Sequence, residues 1–216
     1  MLFRSNDDMY DQSGDGFRSF VQGIPNSLTT RPKILNDLIN DKDDVLIKSL
    51  YVCRQPIYKI FEMGLNILTL GQLKEQMKRL GYDNLYHLYL IINFEDGSQH
   101  FIEKNQRVNT GKYVKQDEEE CTQPIPFNKT LKDLIETAEA RRIPGFYRYN
   151  AFSDNCQRFA YDVMNSNGID QFNGFILQDV KSLAPSWIKT AAHHITDVAG
   201  IVDYVYRGGS AVDGVY

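Results

Sequence analysis

Hydrophobic and polar residues follow a helical period in the first part of the folded chain. Between Asp43 and Leu80, apolar residues recur at spacings of three and four, which predicts a run of helices. The two apolar stripes on either side of Pro56 are Val45, Leu46, Leu50 and Cys53, and then Ile60, Phe61, Leu65 and Leu68. Thr69 is expected to cap a further helix that stops at Gly81.

The pattern then changes to that of a β-hairpin. Leu85 to Phe94 is dense in β-branched and aromatic residues, and Gln99 to Lys104 is expected to return as a second strand. The turn Glu95-Asp96-Gly97-Ser98 lies between them, and Asp-Gly tolerates the positive φ that such turns require. The stretch from Arg107 to Gln123 is polar and ends in the acidic run Asp117-Glu118-Glu119-Glu120, which is expected to be a solvated loop.

Three helices are predicted after this loop. Thr130 caps one that runs to about Arg142, and another begins at Cys156 and ends between Asn165 and Gly168. The residues expected to face the core are Leu131, Leu134, Ile135 and Ala138 in the first, and Phe159, Ala160 and Val163 in the second. From Pro185 onward, apolar residues form a heptad-like seam typical of a third, amphipathic helix.

These elements predict an α+β fold in three parts. Residues 1–30 are rich in Asp, Ser, Gly and Asn and are expected to form a flexible arm. Residues 31–180 form the folded domain, and residues 181–216 form the C-terminal helix and tail. The arm and the C-terminal helix are the segments through which protein partners could bind.

Composition narrows the class of protein. The 216 residues are 42% hydrophobic and carry a net charge of −4, which argues against a nucleic-acid-binding surface. We expect no transmembrane segment and no signal peptide. Cys53, Cys121 and Cys156 are few and far apart, which predicts neither a disulfide framework nor a zinc site, and favours a cytoplasmic or other reducing compartment. His193-His194 lacks a metal-ligand partner at helical spacing, and no cofactor is expected.

Cys156 is the candidate nucleophile. It opens a helix, where unpaired N–H groups and the macrodipole favour a thiolate, although free cysteines are also common as small buried residues. Asn155 is the natural cap of that helix. A cysteine nucleophile needs a base, and His87 and His100 lie on the two strands of the predicted hairpin. Glu103 and Lys104 are expected to lie on a solvated strand face.

The segments from Tyr86 to His100 and from Tyr149 to Phe159 resemble the circularly permuted papain-like superfamily, which includes NlpC/P60-type proteins and lecithin:retinol acyltransferase-like enzymes. In that family a histidine opens a strand, a second polar residue follows about a dozen residues later, and Asn-Cys-Glu/Gln-x-Phe opens a downstream helix. In their overall residue pattern, these two segments also resemble members of the superfamily that are encoded by large double-stranded DNA viruses. The match covers residues 85–168.

The resemblance implies a role for each motif residue. Cys156 would be the nucleophile, His87 the general base and His100 its orienter. The N–H of Cys156 would be the first oxyanion donor, and Tyr149 a second donor or a substrate contact. Asn155 and Gln157 belong to the same candidate set. The implied fold is an antiparallel sheet packed on the cysteine-bearing helix.

Two hypotheses of function follow. The first is a thiol-dependent hydrolase or acyltransferase, such as a thiol protease, that acts on a peptide or isopeptide amide or a lipid ester through an acyl thioester. The second is a non-enzymatic structural protein, such as a minor capsid-associated component of a virion, which retains the fold. Arg207-Gly208-Gly209-Ser210 could also be a processing site. The substrate and the oligomeric state stay open.

Overall fold

The computed structural model describes residues 30–57, 72–105, 107–142, 145–149, 154–179 and 182. These residues form six strands and five helices. The elements are α1 (Lys33–Asp41), β1 (Ile47–Pro56), α2 (Gln72–Arg79), β2 (Tyr86–Phe94), β3 (Gln99–Lys104), β4 (Val108–Lys112), β5 (Glu120–Cys121), β6 (Ile125–Pro126), α3 (Leu131–Arg141), α4 (Cys156–Ser166) and α5 (Asn173–Ile176).

One antiparallel sheet organises the domain and confirms the α+β class. Its strand order is β4-β3-β2-β1-β5, and β6 also pairs with β1. The predicted β2–β3 hairpin is confirmed, with Gly97 at φ +84° in its turn. Side chains alternate between the two faces of a strand, so this register determines which residues share a face.

The inner face of the sheet packs against the helices. Leu88, Leu90 and Ile92 of β2 are buried in one core with residues of α3 and α4, such as Leu134 and Val163. The outer face carries the alternate residues of β2 and their partners on β3, and it has a smaller apolar cluster of its own. Burial of each large aliphatic side chain contributes about 1.5–3 kcal/mol, so the inner face dominates the stability of the fold.

The predicted helix after Asp43 is wrong, because residues 47–56 form strand β1 at the centre of the sheet. Both faces of this strand are covered: Val52 and the adjacent Cys53 are each fully buried. A strand buried on both sides loses the alternation of apolar and polar residues, and its short apolar run is hard to tell from a helical stripe. The second predicted stripe and the Thr69 cap lie outside the described residues.

The polar stretch from Arg107 to Gln123 holds two strands that the sequence pattern did not predict. It contains β4, whose Val108 and Thr110 are buried, and the short strand β5. Cys121 of β5 lies opposite Cys53 of β1, and the two form a disulfide. The expectation that the cysteines suit no disulfide framework missed this bond, because strand pairing closes a separation of 68 residues that spacing along the chain does not reveal.

Local capping signals identified the helices well. Thr130 and Asp133 form a capping box at the start of α3, and Gly81 and Gly168 adopt positive φ after α2 and α4. The sequence patterns missed α1 and α5, neither of which has a side-chain cap at its N-terminus. The N-terminal arm up to residue 29, the predicted C-terminal helix and His193-His194 lie outside the described residues. No helix in the described ranges is long and apolar enough to span a membrane.

Candidate active site

Cys156 is the first residue of α4, as predicted. The side chain of Asn155 caps the helix by accepting a hydrogen bond from the N–H of Arg158 at 3.1 Å. The backbone N–H groups of Leu88 and Gln157 donate to the sulfur of Cys156. Cys156 forms no disulfide, and the residue as a whole is partly exposed at the helix N-terminus.

His87 and Cys156 are brought together by the fold. His87 is the second residue of β2, and its ring forms a hydrogen bond with the Cys156 side chain. The His87 Nε2 atom lies 2.9 Å from Oε2 of Glu103, which leaves Nδ1 as the ring nitrogen for the sulfur. The His87 and Glu103 side chains are 18% and 15% exposed, so the pair is shielded from bulk water but not sealed.

The electrostatics of this pair favour a thiolate and an imidazolium. Burial alone would lower the pKa of His87, but the charges of Cys156 and Glu103 and the hydrogen bonds to them raise it to about 10. Burial alone would raise the pKa of Cys156, but His87 and the two backbone N–H groups lower it below the ordinary thiol value. Each partner thus stabilises the charged form of the other.

Glu103 is a site residue that sequence reasoning missed. It pairs with Tyr89, which lies two residues beyond His87 on the same outer face of the sheet. The Nδ2 atom of Asn105 donates to Glu103 Oε1 at 3.0 Å and fixes the carboxylate. The signal was present in the hairpin, because once the Asp96-Gly97 turn sets the register, Glu103 must share a face with His87.

The structure does not bring His100 to this site. His100 pairs with Ile92 and therefore lies on the inner face, five residues along β2 from His87, or about 16 Å at the rise of a strand. Its ring packs edge-on against Phe94, and its Nδ1 atom is buried without a hydrogen-bond partner. Glu103 occupies the position beside His87 that the family resemblance implied for His100.

Tyr149 lies on the loop that follows α3, within electrostatic range of the Cys156 sulfur. Burial and the nearby sulfur charge both raise the pKa of Tyr149, which keeps its phenol protonated as a donor. Lys104 fixes this loop, because its Nζ atom donates to the carbonyls of Phe146 at 2.7 Å and Arg148 at 2.6 Å. Lys104 is fully buried, contrary to the expected solvated position, and burial lowers its pKa to about 8.

Gln157 ties the start of α4 to the start of β2. Its Nε2 donates to the carbonyl of Tyr86 at 3.4 Å and to Oε1 of Gln178 at 3.1 Å. The N–H of Gln178 donates back to Gln157 at 2.8 Å, and its side chain donates to the carbonyl of Asn84 at 2.8 Å. This network places Cys156 against His87.

Arg142 adds a second anchor through ion pairs with Asp154 and Asp162.

No protein-family model matches the chain, and neither does a curated protein or a solved structure. The described residues contain no group of three or more His, Cys, Asp or Glu side chains that could hold a metal ion.

Proposed function

We propose that this protein is a thiol-dependent hydrolase or acyltransferase that acts on an amide or ester through Cys156. The observation that carries the proposal is the hydrogen-bonded series Cys156–His87–Glu103, with Cys156 at a helix N-terminus. A nucleophile, a base and a group that orients the base are the three parts that nucleophilic catalysis requires. A free cysteine held only for packing needs neither the imidazole nor the carboxylate.

The proposed reaction begins from the thiolate–imidazolium pair. The Cys156 thiolate attacks the carbonyl carbon and forms a C–S bond, while the carbonyl electron pair moves onto oxygen. When the C=O bond re-forms, the amine or alcohol leaves with the proton of His87, and an acyl thioester remains. Neutral His87 then takes a proton from water or an acceptor amine as it attacks the thioester, and Cys156 departs as the thiolate.

Two donors are proposed for the oxyanion. The N–H of Cys156, at the first position of α4, has no acceptor within its helix, and the macrodipole adds positive potential at this end. The second is the protonated hydroxyl of Tyr149, which is within electrostatic range of the Cys156 sulfur and belongs to the loop held by Lys104. Asn155 and Gln157 contribute by positioning, because their side chains are engaged in the helix cap and in the link to β2.

The permuted papain-like fold is part of this proposal. It is supported by the chain order of the three residues, His87 before Glu103 before Cys156, and by their distribution on two paired strands and one helix start. NlpC/P60-like amidases and lecithin:retinol acyltransferase-like enzymes would be its relatives. A viral origin, and a reducing or virion location, stay predictions, and the Cys53–Cys121 disulfide is more typical of an oxidising compartment than of a reducing one.

Trapping of the acyl enzyme tests the proposal. With p-nitrophenyl acetate, we expect a burst of about one equivalent of nitrophenolate and an acetyl group on Cys156 that hydroxylamine removes. Cys156→Ala should abolish the burst, and His87→Ala should slow acylation by about 10²–10⁴-fold. A structural virion component, the alternative function, would give no burst. Equal acylation of wild type and His87→Ala would contradict the proposal.

A further inference from the structure

A cleft opens on the outer face of the sheet, away from the helical core. Its volume is about 250 Å³, and its walls are mainly the aromatic and aliphatic side chains of Tyr89, Phe101, Tyr113 and Val114. The ring of Phe101 lies close over β4 because residue 111 is glycine: a Cβ there would come within 3.0 Å of the ring. The sequence therefore keeps this surface open and apolar.

The far wall of the cleft is held in place by several contacts. Tyr89 and Tyr113 both donate hydrogen bonds to the carboxylate of Glu119. The next two residues fasten this segment to β1, through the Arg54–Glu120 ion pair at 2.8 Å and the Cys53–Cys121 disulfide. A cleft whose walls are held by hydrogen bonds, an ion pair and a disulfide is already formed before a ligand binds.

The cleft adjoins the candidate active site through Glu103. Glu103 lines the cleft and also holds His87, and the rings of His87 and Tyr89 lie 6.3 Å apart. Tyr89 follows His87 by two residues on the same face, about 7 Å along the strand. A substrate whose carbonyl lies at Cys156 would place its first or second side chain on the acyl side over this cleft.

Size and chemistry identify one class of occupant. Clefts that enclose a whole small-molecule ligand span about 300–1,000 Å³, so this smaller cleft suits one side chain. A lipid acyl chain would need a longer apolar channel, whereas this cleft is bounded by the charged groups of Glu103 and Lys112. We propose that it is a specificity subsite that binds one large apolar side chain of a peptide substrate, an inference that rests on the thiol chemistry proposed for Cys156.

Labelling rates with a panel of electrophilic peptides test the subsite. The probes are N-acetyl dipeptidyl acyloxymethyl ketones with Gly, Leu or Phe at either residue and Gly at the other, and iodoacetamide serves as a probe without a side chain. Intact mass measures the rate of thioether formation at Cys156. We expect Leu or Phe to react at least tenfold faster than Gly at one of the two positions.

Substitutions at Val114 assign that selectivity to the cleft. Val114 is 69% exposed, so Val114→Trp, which fills the cleft, and Val114→Asp, which charges its wall, should both fold. Each should reduce the Phe-to-Gly rate ratio at least fivefold. Ile34→Trp, at an exposed apolar position on α1, is the matched control and should keep the wild-type ratio.

The outcomes separate the subsite from the proposed function. Side-chain selectivity that Val114 variants lose supports the subsite. Rapid Cys156 labelling by iodoacetamide and all ketones alike, or selectivity that survives both Val114 variants, overturns the subsite and leaves the thiol chemistry intact. If neither iodoacetamide nor any of the ketones labels Cys156 rapidly, both the subsite and the thiol chemistry are overturned.

Discussion

At the scale of single residues, the site depends on a carboxylate that the sequence presents as an ordinary strand residue. Glu103 raises the pKa of His87, and His87 in turn lowers the pKa of Cys156. The prediction of His87 and Cys156 needed only a helix start and a strand histidine. The choice between Glu103 and His100 needed the register of the hairpin, because adjacent positions on a strand face opposite sides.

Glu103→Gln should shift the ionisation of the pair. The amide keeps the hydrogen-bonding shape but removes the negative charge, so the pKa of His87 falls and that of Cys156 rises. The lower midpoint in the pH profile of Cys156 alkylation should move up by about 1–2 pH units. His100→Gln is the control, because His100 lies on the opposite face of the sheet, and it should leave the midpoint unchanged. An unshifted Glu103→Gln profile would exclude this role for the carboxylate.

Lys104 should make the stability of the fold depend on pH. Burial holds the pKa of Lys104 in the folded protein at about 8, below the ordinary 10.5. The stabilisation gained by burying the neutral amine is therefore fully present above pH 10.5 and is lost as the pH falls through 8. The unfolding free energy of wild type should therefore rise by up to about 3 kcal/mol between these values, relative to Lys104→Met. Urea denaturation at each pH measures the difference, and parallel curves for the two proteins would refute it.

At the scale of elements, helices with side-chain caps and the hairpin with an Asp-Gly turn were predictable because their signals are local. Strand β1 was not predictable, because it is covered on both faces and has lost its alternation. Strands β4 and β5, which pair with β3 and β1, lie in a polar stretch and are strands only because the sheet supplies their hydrogen bonds. The disulfide depends on the pairing of β1 with β5, so the spacing of the cysteines along the chain could not predict it.

The link between α4 and β2 should control how well the thiolate forms. Gln157→Leu removes the hydrogen bonds to Tyr86 and Gln178 and loosens the start of α4 from β2. We expect a higher pKa for Cys156, measured by ultraviolet absorbance of the thiolate, and slower alkylation at neutral pH. Asn165→Leu, which removes side-chain hydrogen bonds near the other end of the same helix, is the control. Equal thiol pKa values in both variants would argue against positioning by Gln157.

At the scale of the whole molecule, the Cys53–Cys121 disulfide connects the central strand to the segment that walls the outer cleft. It closes a loop of 68 residues in sequence, and cross-links of this length stabilise a fold by about 2–4 kcal/mol. Cys121→Ser should lower the unfolding free energy by that amount under oxidising conditions. The loss should vanish when both proteins are compared in excess reductant; a loss that persisted would point to the serine itself.

The pH dependence of Cys156 alkylation by iodoacetamide, in wild type and His87→Ala, tests the central claim most directly. In wild type, the alkylation rate should reach a plateau below the ordinary thiol pKa, because His87 lowers the pKa of Cys156, and it should change again only as His87 deprotonates near pH 10. In His87→Ala, the rate should rise only as the pH approaches the ordinary thiol pKa of about 8.5. Profiles that superimpose in the two proteins would show that His87 does not activate Cys156, and would contradict the account.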